Sequence, residues 1–277
     1  MAEIAAKMRT ANSEQRTANS EQRTANSHNS IRKYLRNIEL LRNFVVLVRN
    51  HRNKFFWKKY LFLYENKNGL EVGGPSGIFA PIYRKCLSCD GVNFNSDTVW
   101  WTKGNSEEYK FDCKTLGKIY IADAVKMSCI EDNNYDFVLS SNNLEHIANP
   151  LKALSEFKRV IKKDGTITVL VPKKDCTFDH NRDFTKFEHI LEDYQNDIGE
   201  DDLTHLPEIL ELHDYDLDMG CGGKEAFKKR AELNFQNRCL HQHVFNEECL
   251  RKMFDFLDLE TIAFDDYSSN YIIIGKK

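Results

Sequence analysis

The stretch Gly69-Leu70-Glu71-Val72-Gly73-Gly74-Pro75-Ser76-Gly77-Ile78-Phe79 decides the fold. Apolar residues flank an acid and run into a glycine-rich turn, the pattern of a buried strand that delivers a backbone loop against a nucleotide-like ligand. Glycine is needed in such a loop because a Cβ would keep the backbone from the ligand and would forbid φ > 0 in so tight a turn. The glycines fall at 73, 74 and 77 with Pro75 between them, so the loop is not the dinucleotide pattern GxGxxG. It also lacks the Lys-Ser/Thr of a phosphate-cradling loop, which leaves a nucleoside triphosphate outside the expected ligands.

Outward from this loop, strand and helix signals alternate, which argues for a parallel sheet covered on both faces. Strands are expected at 69–72, near 85–93, and at 118–124, where Lys118-Ile119-Tyr120-Ile121-Ala122-Asp123-Ala124 ends in an acid. A fourth leads through Tyr135-Asp136-Phe137-Val138-Leu139-Ser140-Ser141-Asn142-Asn143-Leu144-Glu145-His146 to a helix at 151–161, whose apolar residues fall at 151, 154, 157, 160 and 161. Lys163-Asp164-Gly165 turns the chain into a fifth strand at 166–171, closed by Pro172. After a long insertion, a helix from about Phe245 to Phe256 and apolar runs at 259–264 and 271–274 supply an antiparallel closing pair.

The glycine loop, Tyr-Asp-Phe-Val at 135–138, Leu-Glu-His at 144–146 and the helix and strand after it together resemble class I S-adenosylmethionine-dependent methyltransferases over about residues 65–175. The resemblance implies a Rossmann-like, mostly parallel seven-stranded sheet with helices on both faces and a lid or substrate insertion after strand five. It implies S-adenosyl-L-methionine as cofactor and S-adenosyl-L-homocysteine as product. Glu71, Gly73, Gly74, Pro75, Ser76 and Gly77 would lie under the methionine part. Asn93 stands where the family carries a ribose-binding acid, with Asp90 as the nearby alternative. Asp123 and the Ala124 backbone would read the adenine, and Ser140, Ser141, Asn142 and His146 would line the cofactor side. The insertion resembles a bacterial group linked to capsule and surface-polysaccharide biosynthesis, which implies a small polar acceptor: a sugar hydroxyl or a phosphate-linked group.

Composition bounds the rest. At 277 residues with 41% hydrophobic content the chain can hold one large α/β domain with an insertion and an extension. No apolar run reaches a membrane span and no signal peptide opens the chain, so a cytoplasmic location is expected. Eight scattered cysteines suit reduced thiols, and the lone Cys86-x-x-Cys89 reads as core thiols. Residues 1–60 hold 13 Lys+Arg against 4 Asp+Glu, a balance of +9 that leaves −12 on the remainder. That acidic balance argues against nucleic acid as a partner.

Residues 1–29 carry a heptapeptide, Arg-Thr-Ala-Asn-Ser-Glu-Gln, repeated without any large apolar side chain, and read as a disordered tail. Residues 30–64 read as basic amphipathic helices opened by Ser30. Packing on the methyltransferase core is preferred over peripheral membrane contact through 31–64. The core is expected at 65–175 and 245–277, with a substrate-binding lid at 176–244.

That lid holds six of the nine histidines, and residues 175–218 contain fifteen Asp+Glu against two Lys+Arg. Methyl transfer to oxygen calls for a general base, most economically histidine. The candidates in order are His180, then His241 and His243, then His189 and His213, with Asp179, Asp183 and Asp214 as assisting carboxylates and Arg182 and Arg238 for an anionic group. His241-x-His243 also offers a metal reading, but no metal-ligand spacing accompanies it and none is expected. A nicotinamide-dependent oxidoreductase and a non-catalytic cofactor-binding scaffold remain as alternatives. Oligomeric state is open.

Overall fold

The computed structural model describes residues 46–98, 107–218 and 220–277. It divides into two units, Met1–Phe56 and Trp57–Lys277. The heptapeptide tail and the first part of the amphipathic run lie outside the described residues. Residues 46–57 are helical (α1).

The second unit is an α/β domain of Rossmann-like fold, built on a mostly parallel sheet. Its strands are β1 (Asn68–Val72), β2 (Ser88–Asn93), β3 (Glu108–Phe111), β4 (Lys114–Ile121), β5 (Tyr135–Ser141), β6 (Ile161–Pro172), β7 (Glu260–Tyr267) and β8 (Asn270–Lys276). Its helices are α2 (Ala80–Tyr83), α3 (Pro150–Val160), α4 (Phe187–Gln195), α5 (Leu206–Leu212), α6 (Lys224–Ala231), α7 (Asn234–Asn237) and α8 (Glu247–Phe256). The sheet order is β3-β4-β2-β1-β5-β6-β8-β7. Five strands run parallel, while β8 pairs antiparallel with β6 and with β7.

The count corrects the expectation of seven strands. The eighth, β3, is a short antiparallel edge strand on β4, turned at Asp112 with φ 52°. It carries Tyr109, 1% exposed, back against the centre of the sheet. A second correction concerns 161–165: the expected turn is absorbed into β6, which pairs Ile161 with Tyr135 before its register shifts and Thr166 meets Phe137.

Side chains alternate between the two faces of the sheet, as a pleated strand requires. Leu70, Val72, Val138, Ile167, Val169 and Ile273 join one core with Leu151, Leu154 and Phe157 of α3 and Leu250, Met253 and Phe254 of α8. Asn149 and Asn246 cap these two helices, each side chain accepting from a backbone N–H three residues on. On the other face Tyr64 stacks edge-on against Phe137 with centroids 5.1 Å apart, and Trp57 lies between Tyr64 and Phe79.

The insertion builds a small core of its own from Leu206, Ile209, Cys221, Phe227, Ala231 and Leu240. Polar contacts seat it on the sheet. The Ala148 N–H donates to Glu200 Oε1, Asn149 Nδ2 to the Asp193 carbonyl, and His146 Nδ1 to the Leu240 carbonyl.

Candidate functional site

Register aligns Val72 with Val92 and Ser140, Asn93 with Ile121, and Ser141 with Leu170, so the five parallel strands end together. Between β1 and β5 the direction of strand progression reverses, and open α/β sheets bind ligands at such a switch point. A cavity of about 590 Å³ lies there. It is lined by 73–78 after β1, Asn93 and Phe94 at the end of β2, Ala122–Ala124 after β4, and Ser141, Asn142, Asn143, Glu145 and His146 at the end of β5. The insertion closes it with Thr177, Glu200, Arg238 and His241.

The glycine loop is shaped by its neighbours. Gly73 has φ 85°, and a Cβ there would come within 2.7 Å of the Asn143 side chain. A Cβ on Gly74 would stand 2.2 Å from the Glu71 carboxyl carbon. Glu71 itself does not line the cavity. Fully buried, it accepts from the Ser76 N–H at 3.0 Å, Tyr83 Oη at 2.5 Å and Tyr109 Oη at 2.8 Å, and so holds the loop from beneath. Burial raises its carboxyl to about 7 against the pull of these donors.

Asn93 Nδ2 donates to the Gly74 carbonyl at 3.3 Å, tying β2 to the loop. Asp90 is no substitute for a ribose acid: it accepts from the Lys118 N–H and Tyr135 Oη, away from the cavity. Asp123 and Ala124 do line it. Asp123 Oδ2 accepts from Arg238 Nη2 at 2.9 Å, while Arg238 Nη1 lies 3.0 Å from Glu200 Oε2. The guanidinium also covers the Phe94 ring, 5.3 Å from its centroid. Arg238 therefore fastens the insertion to the cavity wall. Ser141 and Asn142 line the cavity, whereas Ser140 is buried with Oγ accepting from Asn143 Nδ2.

Of the five candidate histidines, His241 alone lines the cavity. Its Nδ1 donates to Asp179 Oδ2 at 2.5 Å, which leaves the lone pair on Nε2. Asp179 is in turn held by Arg182 Nη1 at 3.1 Å. Burial opposes charge on His241, but the Asp179 carboxylate outweighs it and sets the ring above its ordinary pKa. Burial likewise pushes the Asp179 carboxyl up, and His241 and Arg182 bring it below its usual range. His146 packs edge-on against His241 with centroids 4.6 Å apart. Burial, with the neighbouring His241, lowers His146 to about 3, so it stays neutral.

The remaining candidates are placed elsewhere. His180, ranked first, is partly exposed and pairs with Asp214 at 3.0 Å on the insertion. Asp214 Oδ1 is occupied by the N–H groups of Asp216 and Leu217, and Asp183 is exposed. His213 is buried among Phe178, Tyr215 and Phe227. His189 meets His205, and His243 donates from Nε2 to the Ala148 carbonyl. His241 and His243 thus join different clusters and share no site. Arg182 is 3% exposed, and all three of its nitrogens are engaged within the protein, by Asp179, Glu208 and the carbonyls of His241 and Gln242.

Sequence reasoning overlooked Glu145 and Glu200 as cavity residues. Glu145 is 1% exposed, its Oε2 has no hydrogen-bond partner, and burial raises its carboxyl to about 7. Its place in Leu144-Glu145-His146 was the available signal. Glu200 carried none, since nothing local sets it apart among the fifteen acids of 175–218.

The cavity fits S-adenosylmethionine on three counts: the loop after β1 admits no Cβ at 73 or 74, the volume suits a cofactor, and Asp123, Glu145 and Glu200 offer carboxylates to a cationic ligand. Residues 70–169 match the family model described as a methyltransferase domain, the stretch from β1 into β6, and S-adenosylmethionine is the cofactor this match implies. An uncharacterized protein of Methanocaldococcus jannaschii is 34% identical over 88 residues. That match is 32% of this chain and 31% of the relative, so the chain spans less than a third of the curated relative's length. Among solved structures the chain is similar to a SAM-dependent methyltransferase from Aquifex aeolicus, at 14% identity over 80% of this chain and 88% of that one, TM-score 0.45. It is also similar to one from Methanosarcina mazei, at 15% identity over 79% and 95%, TM-score 0.46. A third likeness is a possible histamine N-methyltransferase from Thermotoga maritima, at 17% identity over 86% and 95%, TM-score 0.45. Among the described residues no helix is long and apolar enough to cross a membrane.

Proposed function

We propose that the protein is an S-adenosylmethionine-dependent methyltransferase that acts on a hydroxyl of a small polar acceptor, with His241 as general base. The observation that carries this reading is that His241, held by Asp179, lines the same cavity as the Gly73–Gly77 loop. When bound, the cofactor supplies a methyl group on a sulfonium, open to in-line displacement. The loop backbone, Asn93 and the Asp123–Ala124 segment would hold it, and Glu145 and Glu200 would face its positive charge.

An alcohol is a poor nucleophile until it loses its proton. Asp179 fixes His241 in the tautomer whose Nε2 can take that proton and then stabilises the imidazolium. Arg182 keeps Asp179 in place. Alignment of the acceptor and exclusion of water complete the chain's task, and the insertion supplies that wall. With Arg238, the one Lys or Arg among the described cavity residues, already paired with Asp123 and Glu200, a sugar hydroxyl is favoured over a phosphate-linked group. A surface-polysaccharide precursor is the acceptor class suggested by the resemblance of the insertion.

Isothermal titration with S-adenosylmethionine, S-adenosylhomocysteine and NAD tests the cofactor, with binding of the first two alone expected. NAD alone, or no binding, would sink the reading. His241→Asn should keep cofactor binding and lower kcat roughly 10²–10⁴-fold, with Asp179→Asn lowering it less.

A further inference from the structure

Three histidines from three separate parts of the insertion meet away from the cavity: His189 on α4, His205 at the start of α5 and His243 before α8. One nitrogen from each ring lies within 4.8 Å of the others. His189 Nε2 and His205 Nε2 are 3.0 Å apart. Asp193, one helical turn after His189 on the same face of α4, brings Oδ2 to 3.4 Å from His189 Nε2 and 4.0 Å from His243 Nε2. None of the four lines the cavity.

Two observations show that the cluster lacks a partner that hydrogen bonds within the chain do not provide. Asp193 Oδ2 is buried, on a side chain 10% exposed, and accepts no hydrogen bond. His243 Nδ1 is likewise buried without one, on a side chain 1% exposed. Its Nε2 donates to the Ala148 carbonyl, which leaves the Nδ1 lone pair directed by a backbone contact, the outer-sphere arrangement that orients metal-binding imidazoles. Burying such groups unpaired is costly. Asp202 and Glu192 add negative charge nearby.

We infer that His189, Asp193, His205 and His243 form a structural binding site for a divalent transition-metal cation. Three imidazoles, with the Asp193 carboxylate beside them, are donor types that suit zinc. In the metal-free form one of the two facing Nε2 atoms carries a proton toward the other; as ligands, both hold their protons on Nδ1 and turn lone pairs to the cation. The cation clamps α4, the start of α5 and the segment before α8 into one body. A small subdomain whose core is as slight as Leu206, Ile209, Cys221, Phe227, Ala231 and Leu240 gains from such a staple. Asn149 then carries that order from Asp193 to the head of α3.

The test is the zinc content of the untagged full-length chain, dialysed after exposure to zinc and read by plasma mass spectrometry. About one equivalent is expected, with loss of that equivalent in His205→Ala and in Asp193→Asn. No retained zinc in the wild type, or retention by both variants, overturns the site. Should the variants fail to fold, cobalt added to the wild-type protein decides. Tetrahedral d–d bands without a thiolate charge-transfer band, unchanged by S-adenosylhomocysteine, support it. A thiolate band points to His213, Asp218 and Cys221 instead, and displacement by S-adenosylhomocysteine points to Glu145, His146 and His241; either result overturns it.

Discussion

Glu71 shows how one residue can serve a site it never touches. Its carboxylate receives three donors, the Ser76 N–H, Tyr83 Oη and Tyr109 Oη, all on segments that surround the glycine loop. Glu71→Ala orphans these donors in a dry interior and should cost about 3 kcal/mol or more, read by urea denaturation, whereas Glu71→Gln keeps an acceptor and should cost far less. The carboxyl is raised from 4.5 to about 7 by burial, so the folded state holds this proton more tightly than the unfolded chain. Its contribution to stability is complete below about pH 4.5 and is lost as pH rises through about 7. Relative to Glu71→Gln, the wild type should therefore lose stability between pH 5 and pH 8. An unchanged difference would show that Glu71 is not the titrating group. The need for an acid before the glycine loop was legible in the sequence; that it braces the loop from below was not, because Tyr83 and Tyr109 reach it from 12 and 38 residues away.

At the scale of elements, the insertion matters most. Its length and acidic bias mark it in the sequence, but its attachment depends on Arg238, which joins Asp123 after β4 to Glu200 within the insertion. Removing that cation leaves the Glu200 carboxylate, 6% exposed, without its charge partner. Arg238→Met should speed hydrogen exchange across 196–243 by roughly tenfold or more, as a local opening, while β1 and β5 stay protected. Uniform acceleration through the whole sheet would refute this local role. The strand β3 teaches a related lesson. Four residues at the sheet edge with exposed Glu108 and Lys110 give little hydrophobic pattern, so only the structure shows Tyr109 reaching the centre.

For the whole molecule, ligand linkage offers a test that needs no acceptor. A cofactor bound only by the folded domain at a hundredfold excess over its Kd stabilises it by about 2.7 kcal/mol. For a domain of this size the melting temperature should rise by roughly 5 to 10 °C. Scanning calorimetry with S-adenosylhomocysteine checks this, and a shift with NAD instead would favour an oxidoreductase.

The sequence by itself determined the succession of strands and helices along the core, the glycine loop at the end of β1 and the acid after β4, because periodicity, glycine placement and turn residues act within a few residues of one another. Only the tertiary structure decided which histidine faces the cavity. His241 is selected by Asp179, 62 residues away, and by the seating of Leu240 on His146. His180, with Asp179 and Asp183 beside it in sequence, turns to Asp214 on the insertion instead. A side chain's chemistry is local, but its partners are set by chain segments that only folding brings together.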